Sequence, residues 1–76
     1  MTSHDYFANV FGSRKGGTFS TSQIEKLMVG SGINSGSIRP NDHGKGNAAQ
    51  CSCVGTKRQI FKQLSRGKYI VLQFQP

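Results

Sequence analysis

Acidic residues are the scarcest functional class in this 76-residue chain: three Asp and Glu face ten Lys and Arg, a formal net charge of +7. So few carboxylates cannot furnish a two-metal nuclease centre, although Asp42-His43 followed by Asn47 faintly resembles a metal-dependent nuclease motif. Tryptophan is absent and hydrophobic residues make up 34% of the chain, enough for one thin core and no deep substrate pocket. We therefore expect a single domain over residues 1–76 and no enzyme. The longest apolar run, Tyr69 to Leu72, falls far short of the ~20 residues needed to span a membrane. Residues 1–12 lack the charged start and apolar stretch of a secretion signal, so the expectation is a cytoplasmic protein with no membrane partner.

There are two cysteines, Cys51 and Cys53, separated by one residue. A cross-link over so short a loop would remove little unfolded-chain entropy and would strain the bond, which favours reduced thiols. With His43 and the remote His4 they offer the donors of a zinc site. Structural zinc sites usually space paired cysteines by two to four residues, however. The C-x-C spacing is a weak form of that pattern, so the expectation is two ordinary loop thiols, with no metal and no cofactor.

The positive charge is unevenly distributed. Residues 1–38 hold three cations and two acids, a net +1, whereas residues 39–76 hold seven cations and Asp42 alone, a net +6. Cations gathered this way repel one another, and an anionic partner relieves the cost.

Phe7, Val10 and Phe11 fall on one helical face and predict a first helix over about 3–11, stopped by Gly12. Ser20 and Gln23 have capping-box spacing, with Phe19 and Ile24 placed as a hydrophobic staple. That flank favours Ser20 over the competing Ser22-Glu25 pair and predicts a second helix to about Val29, burying Ile24, Leu27 and Met28. Asn34 can cap a third helix, which Pro40 limits to about one turn. Residues 41–55 show no period and read as a long loop. Arg58–Leu64 and Tyr69–Gln75 then read as a β-hairpin turning at Gly67, with Ile70, Leu72 and Phe74 expected on the core face. The expected fold is α+β: two to three helices followed by a two-stranded antiparallel hairpin, the order of a small winged-helix or helix-turn-helix domain.

Two stretches, Ser37-Ile38-Arg39-Pro40-Asn41-Asp42-His43 and Ile60-Phe61-Lys62-Gln63-Leu64-Ser65-Arg66-Gly67-Lys68-Tyr69, carry a resemblance. The chain resembles, over roughly residues 19–72, a winged-helix-like bacterial domain found in restriction-type and other DNA-associated proteins. The resemblance implies a DNA-directed module with Ser37, Arg39 and Asn41 near the groove and Arg66 and Lys68 on the hairpin. The expected partner is duplex DNA, bound without catalysis. Asn34, Ser35, Ser37, Arg39 and Asn41 would make base contacts, and Lys57, Arg58, Lys62, Arg66 and Lys68 would neutralise phosphates. A second class remains open: a small inhibitor of phage or mobile-element type that uses the same charges on an acidic or nucleic-acid-binding surface of a host protein.

Overall fold

The computed structural model describes residues 2–44 and 51–75, so residues 45–50 of the expected long loop lie outside the described residues. Among the described residues, two helices and a three-stranded antiparallel sheet form a small α+β domain.

Helix α1 spans Ser3–Phe11, the expected range. It opens with a capping box that the sequence reading did not single out, in which the Thr2 hydroxyl accepts from Asp5 N–H and the Asp5 carboxylate accepts from Thr2 N–H. Its innermost stripe is His4, Phe7 and Phe11, with Val10 only half-buried. A histidine thus occupies a core position one turn before the apolar pair.

Helix α2 spans Thr21–Met28 and starts on Ser20, whose hydroxyl accepts from Gln23 N–H while the Gln23 side chain accepts from Ser20 N–H. The staple argument therefore selects the cap that forms. Ser20→Ala removes one of these partners, and we expect a loss of about 1 kcal/mol in urea unfolding. An unchanged midpoint would show that the cap contributes nothing.

The residues just before α2 are also a strand, β1 (Thr18–Ser20), which the sequence reading missed. It is too short to show an alternating pattern, and it forms because β3 (Lys68–Val71) offers it an edge. The register is Thr18 to Ile70, Phe19 to Tyr69 and Ser20 to Lys68. Strand β2 (Phe61–Ser65) pairs with the other edge of β3, giving the order β1-β3-β2. The expected two-stranded hairpin is thus two of three strands, and both are shorter than the sequence suggests. Gly67 turns the hairpin at φ +73, a left-handed conformation that disfavours any side chain, and a register shift follows Gln63.

The inward face of β3 is Tyr69 and Val71, not Ile70 and Leu72, which are half-buried. Both sides of this strand carry apolar residues, so alternation alone could not choose between them. Phe74 is buried as expected, although it lies beyond the strand. Phe61 sits at the centre, with its ring edge-on to Phe7, Phe11 and Tyr69.

The expected third helix is two 3-10 turns, Ser35–Ser37 and Pro40–His43. Asn34 caps the first, accepting from Gly36 N–H at 3.0 Å. Pro40 ends that element and begins the second, so the stretch never builds a recognition helix. Within the expected loop, residues 41–43 therefore belong to the second 3-10 turn, and residues 51–55 form a bend and turns that continue to Arg58.

Candidate functional site

Two features converge on the Pro40–His43 turn. On one side lies an open cleft lined by Arg39, Asn41, Asp42, Gln63, Arg66 and Tyr69. Arg39 comes from the chain entering the turn and Arg66 from the hairpin tip, so the fold joins cations that are distant in sequence. Tyr69 donates its hydroxyl hydrogen to Asn41 Oδ1, which fixes the Asn41 amide against the sheet. Arg66 also borders a second cleft, with Lys68, Ser65 and Gln23, on the other flank of the hairpin. Arg58 and Asp42 line a third cleft, beside His4 and Cys51. Asp42 thus links the Arg58 cleft to the Arg39 and Arg66 cleft, and Arg66 links that one to Lys68.

Not every expected contact residue joins this band. Asn34 spends its side-chain oxygen on capping, and Ser35 and Ser37 line none of these clefts. Expecting these three at a DNA groove presumed a helix N-terminus, and a 3-10 turn does not provide one. Lys62 is exposed on the outer face of the sheet, in register with Ile70. Lys57 is exposed in the turn region, where its carbonyl accepts from Gln75 N–H at 2.8 Å.

On the other side of the turn, the donor atoms of His4, His43, Cys51 and Cys53 all lie within 4.8 Å of one another. Each residue reaches the cluster for its own reason. His4 projects from the core stripe of α1, and His43 is the last residue of the second 3-10 turn. Cys51 is tied to that turn by its N–H, which donates to the Asp42 carbonyl at 3.3 Å. Cys53 is fixed by Thr56, whose N–H and hydroxyl both donate to the Cys53 carbonyl, at 3.0 and 2.6 Å. Cys51 Sγ stands 3.6 Å from His4 Nδ1, and Cys53 Sγ stands 3.7 Å from His43 Nδ1.

The surroundings are apolar on the core side, whereas His4 and Cys51 also border the cleft of Arg58 and Asp42. His43 is 1% exposed and packs on the Phe7 ring at 4.7 Å between centroids, and His4 is 4% exposed. Burial, reinforced by the facing His4, lowers the His43 pKa to about 4, so its ring is neutral. The His4 pKa is lowered as well, by burial and by the Arg58 charge, with Asp5 partly opposing. Burial, together with Cys51, pushes the Cys53 thiol up to about 12. Among the described residues neither His4 Nε2 nor His43 Nε2 has a hydrogen-bond partner. The C-x-C spacing is a weak zinc pattern along the chain, and what the fold adds is the closeness of His4 and His43 to both cysteines.

Compared with protein-family models, with curated proteins and with solved structures, the chain matches none. Among the described residues, no helix is long and apolar enough to cross a membrane.

Proposed function

We propose that this chain is a non-catalytic module that binds duplex DNA through its phosphate backbone, along a band formed by Arg58, Arg39, Arg66 and Lys68. The observation that carries this reading is the cleft that Arg39 and Arg66 line together with the amides of Asn41 and Gln63, two cations against the single carboxylate of Asp42. Guanidinium groups match phosphate oxygens in geometry as well as charge, and neutral amides add donors without repelling the strand. A hairpin tipped by Arg66-Gly67 is the part a winged-helix domain lays along flanking backbone, so the expected winged-helix reading belongs to this proposal. Replacement of the third helix by 3-10 turns removes the element that would enter the major groove. Affinity should therefore depend little on sequence.

The test is an electrophoretic shift with random duplex over a range of salt. Four phosphate contacts predict a log-log affinity slope of about −3.6, and the Arg39→Ala, Arg66→Ala double variant should flatten it by about 2. Equal weakening across unrelated sequences is expected. Absence of any shift at low salt would remove the DNA reading and leave an acidic surface of a host protein, as in an inhibitor of phage or mobile-element type, as the counterpart of these charges.

A further inference from the structure

We infer that His4, His43, Cys51 and Cys53 form a closed tetrahedral site for one divalent zinc ion that clips α1, the Pro40–His43 turn and the Cys51–Cys53 segment together.

The distances favour a metal over a set of hydrogen bonds. Zinc bonds sulfur at about 2.3 Å and imidazole nitrogen at about 2.0–2.1 Å, so a tetrahedral angle places the two donor atoms about 3.6 Å apart. The observed sulfur to nitrogen separations are 3.6 and 3.7 Å. The cluster's outer limit of 4.8 Å exceeds the sulfur to sulfur edge of such a tetrahedron by about 1 Å, a gap that small rotamer adjustments close. Two sulfurs and two nitrogens in tetrahedral disposition are a donor set that selects zinc among common cellular divalent ions. All four positions come from the protein, so nothing is left for substrate or water, and the site is structural.

Burial points the same way. Two imidazoles that are 4% and 1% exposed face each other edge-on at 5.4 Å, and among the described residues the one side-chain group within hydrogen-bonding range of each ring is a thiol. Thiols are weak donors and weak acceptors, so these contacts alone compensate poorly for desolvating the rings. On binding, each cysteine loses its proton to solvent and ligates as thiolate, while both histidines ligate as neutral rings through Nδ1. The ion's two positive charges then meet two thiolates, and the centre is electrically neutral.

The clip also answers a need of the fold. Domains of this size rarely gain enough from one apolar core and often add a metal or a disulfide. A bond from His4 to Cys51 closes a loop 47 residues long, the kind of closure that most reduces the freedom of the unfolded chain. His43 ends the turn that carries Arg39 and Asn41, so the same ion would hold the basic cleft in place.

The test is a titration of the full, reduced, metal-free chain with Co2+, which occupies tetrahedral zinc sites and reports its ligands by colour. We expect saturation at one ion per chain, intense tetrahedral ligand-field bands, a thiolate charge-transfer band, and displacement of cobalt by zinc. Cys51→Ser is the informative variant, because Cys51 is half-buried and its loss does not hollow the core. It should lose about half of the charge-transfer intensity and weaken cobalt binding by at least about 100-fold, beyond what loss of an outer-shell partner causes. Ser52→Ala should leave the spectrum unchanged. The inference is overturned if the folded wild-type chain gives only octahedral cobalt, or if Cys51→Ser keeps the wild-type spectrum. No nucleic acid is present in this measurement, and the Arg39→Ala, Arg66→Ala variant should retain the full spectrum, so failure of the DNA reading would leave this result standing.

Discussion

Phe61→Ala is expected to lower stability by about 3–5 kcal/mol, a large fraction of the total of order 5–15 kcal/mol that holds a domain folded. Phe61 has no exposed surface, and three aromatic rings pack edge-on against it at centroid distances of 5.0 to 6.0 Å. Truncation would leave a cavity that neither helix can close, because Phe7 and Phe11 are themselves packed on the sheet. Urea denaturation followed by circular dichroism measures the loss. Leu64→Ala, one strand position beyond Lys62 and Gln63, removes a side chain that is 50% exposed and should stay within about 0.5 kcal/mol of wild type. Similar effects from the two changes would contradict the core described here.

The second large effect is expected at Gly44. A Cβ built there would stand 2.8 Å from the Phe61 carbonyl oxygen and 2.9 Å from Phe61 Cβ, closer than atoms tolerate. Its φ is negative, so the expected cost comes from space rather than from a left-handed backbone. Phe61 cannot retreat without disturbing the core, and the residue before Gly44 is His43. Gly44→Ala should therefore cost about 1–3 kcal/mol and also pull one donor out of the His4, His43, Cys51, Cys53 cluster. Gly36→Ala is the matched control: the added carbon meets only Asn34 Oδ1, at 3.6 Å, an ordinary contact. Thermal unfolding of both variants, with and without added zinc, checks the pair. Equal Tm values for the two would show that Gly44 is not a contact point between the turn and the sheet.

Local chemistry in the sequence located the helices well. Thr18 to Ile24 holds a cap, a reciprocal cap partner and a staple within seven residues, and the resulting helix begins at Thr21. The third element was legible as a stub for a similar reason, since Pro40 restricts Arg39 whatever the tertiary context. Features decided by distant partners were not legible. Strand β1 exists through its pairing with Lys68–Ile70, and three residues leave no periodic trace. The inward choice of Tyr69 and Val71 follows from the helices that cover them, and the pattern along β3 fits either face. His4 could be named from the sequence as a remote donor, but only the fold brings it to cysteines 47 and 49 residues later. The basic band is intermediate: its cations could be counted in the sequence, but the companionship of Arg39 with Arg66 could not.

The sheet order β1-β3-β2 has a kinetic corollary. The strand that both others lean on is the last of the three to be made, and β1 and β2 share no ladder of their own. A growing chain that has reached Ser65 contains both helix segments and two of the strand segments, yet those two strands have no ladder with each other. Assembly must wait for Lys68–Val71 to arrive, whereupon both seams close almost together. Such a molecule ripens late and all at once, and its shortened forms, lacking those few residues, would be left without a spine.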